Sequence, residues 1–211
     1  ASEKGFIDSL PSDDRNRARV ALRSALVSDL VNDPELKIRP HLSPKRSGSS
    51  GLTEKTFIKS LLMKLIRTKA LPERSEQQRA LRANEQQNFI TLANLLYEHA
   101  LAPLFEKNAE ESDRRRARRL SKQPALNLFA AMANRCFINV VQPKSDDMSL
   151  MQRIPSQEQW LKIEQALKRW LDHPFWRSEK SLGSAVADAD NHLERNEAGD
   201  LSDAFEVMGL T

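Results

Sequence analysis

The chain has 211 residues, of which 39% are hydrophobic and 29% charged, and its formal net charge is +4. That length is enough for one large hydrophobic core or two small ones. A single cysteine, Cys136, excludes a disulfide within the chain. Neither a secretory signal pattern nor an apolar run of about 18 residues is present, so we expect a cytoplasmic protein without membrane contact.

The composition favours helices over sheets. Leu, Ala, Arg, Glu and Gln are abundant, whereas there are only 6 glycines and 1 tyrosine. Sheet proteins need β-branched runs and glycine-rich turns, which this chain lacks. We predict an all-α fold, an irregular bundle of about six to eight helices with at least about 60% helix and at most a minor pair of short strands.

The first predicted helix begins at the capping residues Ser12 or Asp13 and ends near Pro34. The helical pattern then stops until Gly51, although Leu36-Lys37-Ile38 is able to pair as a short strand if a sheet is available. Ser43 to Gly51 combines glycine, proline and serine, and we expect it to be the most mobile internal segment.

The second predicted helix opens at Thr53 and runs to about Lys69, with a strong apolar stripe that includes Phe57. The central helix, Arg79 to Phe105, has an apolar stripe wide enough for contact from more than one side. Pro103 should kink or end it. Some of its uncharged polar residues should be buried and hydrogen-bonded, and these are Asn84, Gln87, Asn88, Asn94 and His99.

Two further helices are predicted after the central one. One starts at Pro124 and has a continuous apolar face. The other opens with a capping box formed by Ser156 and Gln159 and must stop before Pro174. The expected core lies between the helices around Phe57, Phe89, Phe129 and Trp160.

Charge is distributed unevenly along the chain. From Ser178 to the last residue there are eight acidic residues against Lys180 and Arg195, a balance of −6, so residues 1–177 carry +10 to reach the total of +4. We therefore expect a basic helical core domain over residues 1–177. The acidic helical segment 178–211 is expected to pack on it or trail from it.

A run of arginines is the sharpest local feature of the sequence. Guanidinium groups pair with phosphate, so the run indicates contact with DNA, RNA or an acidic partner. The alternative is a solvated charged face that Glu110, Glu111 and Asp113 partly neutralise. No aromatic residue interleaves with the run, which disfavours stacking on single strands. The candidate nucleic-acid-binding residues are Arg114, Arg115, Arg116, Arg118, Arg119 and Lys122.

Catalytic, metal and cofactor sites are not indicated. The four histidines, His41, His99, His173 and His192, are far apart and lack metal-ligand spacing. No nucleophile elbow, phosphate-binding loop or dinucleotide fingerprint is present. Cys136 lies on an apolar helical face, where an inert buried thiol is expected. We expect no metal, no cofactor and no catalytic residue, which disfavours an enzyme.

The order of several segments resembles a known family. Residues 32–38 (Asn-Asp-Pro-Glu-Leu-Lys-Ile), a Ser/Gly loop, residues 51–57 (Gly-Leu-Thr-Glu-Lys-Thr-Phe) and Asn88-Phe89 in a long helix are similar to the helical C-terminal half of DGQHR-domain proteins, relatives of DNA sulfur-modification regulators. The likeness covers Asp33 to Phe137. It implies a fragment of a bacterial DNA-associated or phage-defence protein. The pentapeptide that names the family does not occur in this chain, so no functional residue is carried over.

Two functions follow as hypotheses. The first is a non-enzymatic, nucleic-acid-associated helical domain that works through the arginine run. The second is a helical scaffold that binds a protein partner or a second copy of itself. The scaffold hypothesis requires exposed aromatic side chains, and its candidates are Trp160, Trp170, Phe175 and Trp176.

Overall fold

The computed structural model describes residues 27–42, 57, 76–141, 153–173 and 176. Of these described residues 78% are helical and none is in a strand. The predicted all-α class is therefore confirmed for the part of the chain that is described. The expected count of six to eight helices includes segments elsewhere and stays a prediction.

The main elements follow one another with short connections. Residues 27–32 are helical, and a 3-10 turn follows them at Arg39–His41. Four longer helices are named here in chain order. They are α1 (Glu76–Leu96), α2 (Glu111–Leu120), α3 (Gln123–Val141) and α4 (Gln157–Leu171).

Helix α1 does not stop abruptly at its C-terminal end. It continues as a π-helical turn, Tyr97–Leu101, and then as a 3-10 turn, Ala102–Leu104. Pro103 lies in this second turn, where it has no N–H to continue the α-helical hydrogen bonds. The sequence predicts that the central helix kinks or ends at Pro103, and its regular α-helical part stops before this residue, at Leu96.

The hydrophobic core is contiguous across the described helices. Phe57, Phe89 and Phe129 are fully buried, as predicted. Trp160 is only half-buried and lies at the edge of the core, where it meets Phe137 edge-on with ring centroids 5.3 Å apart. Helices α3 and α4 pack against each other, while α2 packs against both turns that follow α1.

The amide side chains of α1 fix the segment before the 3-10 turn at 39–41. The Asn94 side chain accepts a hydrogen bond from the Lys37 backbone N–H at 2.9 Å and donates to the Glu35 carbonyl at 2.8 Å. Asn94 thereby supplies the hydrogen-bond partners that a neighbouring strand would otherwise give to the backbone of Glu35 and Lys37. Leu36 and Ile38 are buried in turn structure, so residues 36–38 do not form the short strand considered from the sequence.

Asn88 confirms the expectation of buried polar groups in the central helix. It is 1% exposed and donates to the Arg153 carbonyl at 2.7 Å, which ties α1 to the segment leading into α4. Gln87, in contrast, is exposed. The polar residues of α1 thus anchor flanking segments, which agrees with a role in specifying the fold.

Helix α4 begins at the predicted capping box. The Ser156 hydroxyl accepts from the Gln159 N–H at 3.3 Å, and the Gln159 side chain accepts from the Ser156 N–H at 2.9 Å. Gln159 also donates to the Val140 carbonyl at 3.2 Å, so the cap joins the start of α4 to the end of α3. The helix ends at Leu171, before Pro174 as predicted.

Several predictions concern segments outside the described residues. They include the loop 43–51, most of the helices predicted over 12–34 and 53–69, and the acidic segment 178–211. The proposed domain division is therefore untested. Among the helices that are described, none is both long and apolar enough to cross a membrane.

Replacing Ser156 with alanine should lower the free energy of unfolding by about 1 kcal/mol, because the Gln159 backbone N–H loses the hydroxyl that caps it. Urea denaturation measures this difference. Ser112, which is exposed in the first turn of α2 and is not its N-cap residue, provides the control. Ser112→Ala should change the free energy by less than about 0.5 kcal/mol. Equal effects of the two substitutions would contradict the capping role.

Candidate nucleic-acid interface

The arginine run forms most of helix α2. Glu111 and Asp113 lie in its first turn, and Arg118 and Arg119 in its last turn. This order places negative charge at the positive end of the helix dipole and positive charge at the negative end. The charge pattern therefore favours a helix here, even though this segment has few apolar residues.

Helical periodicity divides the run into an inward and an outward side. Arg116 and Arg119 are buried together with Ala117 and Leu120. Arg118 and Lys122 are exposed, while Arg114 and Arg115 are half-buried. The structure therefore does not bring the six candidate residues together in one continuous surface.

Arg116 holds three elements together. Its side chain is 9% exposed, and its Nη1 donates to Asp172 Oδ1 at 2.6 Å, at the C-terminal end of α4. Its Nη2 donates to the His99 carbonyl at 2.9 Å. In an α-helix that carbonyl would accept from the N–H four residues later, at position 103. Because Pro103 has no N–H, that α-helical bond cannot form, and Arg116 donates to this carbonyl instead.

Arg119 is the second inward-facing arginine. It is 9% exposed, and desolvation lowers the pKa of its guanidinium. The burial of a cation beside Leu120 is costly unless the surrounding fold accommodates it. Arg116 and Arg119 are thus parts of the folded interior, and neither is presented to a phosphate in this arrangement.

Arg114 has a local role at the start of α2. Its Nη2 donates to the Glu106 carbonyl at 2.9 Å and to the Lys107 carbonyl at 2.6 Å. These bonds hold the loop that connects the 3-10 turn at 102–104 with α2. Arg114 therefore positions this loop.

The outward side of α2 and the residues just after it keep three of the candidate cations. Arg115 and Arg118 are three residues apart on α2, about one turn along the helix, and Lys122 is exposed two residues beyond its last residue, Leu120. We call these three residues the basic face. Arg118 pairs with Glu111 at 2.9 Å, but both side chains are about 60% exposed. Such an exposed pair contributes little, so phosphate is able to compete for Arg118.

The aromatic residues proposed for a partner surface are mostly core residues. Trp170 is 4% exposed and Trp176 0%, and the Trp176 indole donates to the Trp170 carbonyl at 2.9 Å. Phe175 lies outside the described residues. The large apolar side chains that are exposed in the described part are Ile154 and Leu161, at 51% and 52%. The prediction that Trp170 and Trp176 form an exposed scaffold surface is therefore wrong.

The described titratable groups do not assemble into a catalytic or metal site. Burial raises the pKa of the Cys136 thiol to about 11, which keeps it protonated and unreactive near neutral pH. His99 Nε2 lies 3.6 Å from Glu164, whose pKa is lowered chiefly by its hydrogen bond from Lys168. Over the described ranges, no group of three or more His, Cys, Asp or Glu side chains is arranged to hold a metal ion.

The inward direction of Arg116 and Arg119 was not anticipated from the sequence. A signal was present, because Ala117 and Leu120 interrupt the charged run and mark the side of the helix that is buried. No pattern in the sequence predicts the hydrogen bond from Arg116 to the His99 carbonyl. The two residues meet only because α2 packs on the π-helical turn.

Replacing Arg116 with methionine should lower the free energy of unfolding by about 1–3 kcal/mol, because the partly buried His99 carbonyl loses its donor. Asp172 is 62% exposed and is able to regain water, so the larger cost of an orphaned buried charge does not apply. Arg118→Met is the matched control and should change stability by less than about 1 kcal/mol. Thermal or urea unfolding distinguishes the two. If Arg116→Met were as stable as Arg118→Met, Arg116 would not hold these elements together.

Comparison of the chain with protein-family models, with curated proteins and with solved structures gives no match. The resemblance to DGQHR-domain proteins is therefore untested and stays a prediction. The function has to be argued from the residues of the chain and their arrangement.

Proposed function

We propose that this chain is a non-enzymatic, nucleic-acid-associated helical domain that contacts phosphates through the basic face of α2. The observation that carries the proposal is the position of Arg118 on the outward side of α2, with Arg115 one turn before it and Lys122 exposed just after the helix. Cations one turn apart on a rigid helix are able to contact successive phosphates without rearrangement of the fold.

Binding of this kind draws its free energy from counterion release. A protein that neutralises phosphates with lysine and arginine displaces condensed cations from the nucleic acid, and this term does not depend on base sequence. The balance of +10 over residues 1–177, set against −6 over the remainder, supports attraction of a polyanion to the main part of the chain. Glu111 opposes this attraction locally, which limits the expected affinity.

The biological setting rests on the resemblance alone. If the likeness to DGQHR-domain proteins holds, the domain is a fragment of a bacterial DNA-modification or phage-defence regulator. In that setting the basic face would hold the regulator on DNA while other parts of the protein recognise the sequence or the modification.

Replacing both Arg118 and Lys122 with alanine should weaken binding to duplex DNA equally for unrelated sequences. The slope of log K against log salt concentration should become less negative by roughly one unit for each lost phosphate contact. Fluorescence anisotropy with a labelled duplex, from about 50 mM salt upward, measures both quantities. Stability should hardly change, since both side chains are exposed.

A matched control removes two exposed cations from α4. The double variant Lys162→Ala, Arg169→Ala removes the same charge from the protein. It should slightly lower the long-range attraction of DNA but leave the slope of log K against log salt concentration unchanged. If the two double variants shift the slope equally, the basic face is not the contact surface. If the unaltered protein forms no complex with DNA or RNA at micromolar concentration, the proposed function is wrong.

A second candidate function is a protein-interaction surface at the start of α4. Ile154 and Leu161 are both more than half exposed, although large apolar side chains usually gain free energy from burial. Half-buried Trp160 lies next to Leu161 in the chain and provides further apolar surface. Trp160 is thus kept from the residues considered from the sequence, and Ile154 and Leu161 take the place of Trp170 and Trp176 as the basis of the scaffold hypothesis.

Substituting Leu161 with glutamate should abolish self-association if the exposed surface pairs two copies of the chain, because a charge would then be buried in the contact. Sedimentation velocity over a range of protein concentrations measures this. Gln165→Glu, which adds a charge at an exposed position one turn further along α4, is the control and should leave association unchanged. A monomer at every concentration would exclude self-association through this surface.

A further inference from the structure

Three aromatic side chains that are far apart in sequence meet beside α2. The His41 ring stacks on Phe105 with centroids 4.1 Å apart and planes inclined by 15°. Tyr97 lies 5.8 Å from His41 and 6.3 Å from Phe105. All three side chains are half-buried. We call these residues the aromatic cluster.

The arrangement of the rings is a triangle and not a linear stack. If one ring were enclosed between the other two, the outer centroids would be separated by roughly the sum of the two stacking distances. The Tyr97 to Phe105 distance of 6.3 Å is much shorter than that. Each ring therefore has a face or edge that the other two do not cover, and the partial exposure of all three places some of this surface near solvent.

The cluster is continuous with the start of α2. Phe105 immediately precedes the two residues whose carbonyls accept from Arg114, so the same guanidinium that belongs to α2 holds the chain next to the cluster. Helix α2 also packs against the turns that carry Tyr97 and Leu104. From this end, α2 runs for about 15 Å and carries Arg115 and Arg118, and Lys122 follows just after its last residue, Leu120.

The charges around the rings are mixed. Lys37, Arg39 and Lys107 are exposed nearby, and Lys37 forms an ion pair with Glu98. Burial raises the pKa of Tyr97, and the carboxylates of Glu106 and Glu98 raise it further. A phosphate is thus not favoured at the rings themselves. A flat, uncharged base is favoured there, since every base has a face for stacking.

We propose that the ligand of this domain is a single-stranded nucleic acid, with bases stacked on His41, Tyr97 and Phe105 while the neighbouring phosphates contact the basic face. The proposal rests on the proposed function and specifies its ligand. The aromatic cluster also supplies the stacking side chains that the arginine run itself lacks. The fold brings these side chains to α2 from outside the run.

The test compares two single strands that carry the same charge. One is a labelled oligothymidine of about 12 nucleotides, within the range that single-strand-binding modules cover, and the other is an abasic strand of equal length. The full chain should bind oligothymidine at least about fivefold more tightly than the abasic strand, the lower end expected for stacking of one base. Phe105→Leu and Tyr97→Leu, measured separately, should each reduce this preference while leaving affinity for the abasic strand and the salt slope unchanged.

Trp160→Leu is the matched control, since Trp160 is also half-buried but packs on Phe137, away from the cluster. It should leave the preference for bases intact, and circular dichroism verifies that each variant folds. His41→Asn, a substitution in a surface turn, provides a further variant if a leucine variant unfolds. Equal binding of both strands by the unaltered chain, or a preference that survives all cluster variants, overturns the stacking proposal alone. Binding of neither strand overturns the proposed function as well.

Discussion

The hydrogen bond from Arg116 to the His99 carbonyl is the interaction on which the described arrangement most depends. Pro103 prevents α1 from continuing, and the chain responds with a π-helical turn followed by a 3-10 turn. Such a junction leaves backbone carbonyls without their usual donors, and a buried unsatisfied carbonyl is costly. Arg116 meets this need and, through Asp172, joins the end of α4 to the same point.

This interaction also determines how α2 is oriented. With Arg116 directed into the junction and Arg119 also buried, the opposite side of the helix faces outward and carries Arg118, while Lys122 is exposed just after the helix ends. The two halves of the arginine run therefore have different physical roles. One half stabilises a proline-containing junction from within, and the other half determines the electrostatic character of the surface.

The same junction forms the aromatic cluster. Tyr97 belongs to the π-helical turn, Phe105 follows the 3-10 turn, and His41 arrives from the segment that Asn94 holds against α1. Stacking surface and positive charge are the two components that single-strand-binding proteins combine. Here the way one helix ends creates the stacking surface, and α2, which packs on the same turns, carries positive charge on its outward side. The single-stranded ligand proposed above is the partner that this combination fits.

The sequence by itself determined the helical class, the capping box at Ser156, the end of the central helix at Pro103 and the burial of Phe57, Phe89 and Phe129. These are local properties, set by periodicity, capping chemistry and the missing proline N–H, and they need no knowledge of distant contacts. Only the tertiary structure decided which arginines are inside, that Trp170 and Trp176 belong to the core, and that His41, Tyr97 and Phe105 meet. The reason is that a charged or aromatic side chain is compatible with either surface or interior, and the choice depends on the groups that other segments place beside it.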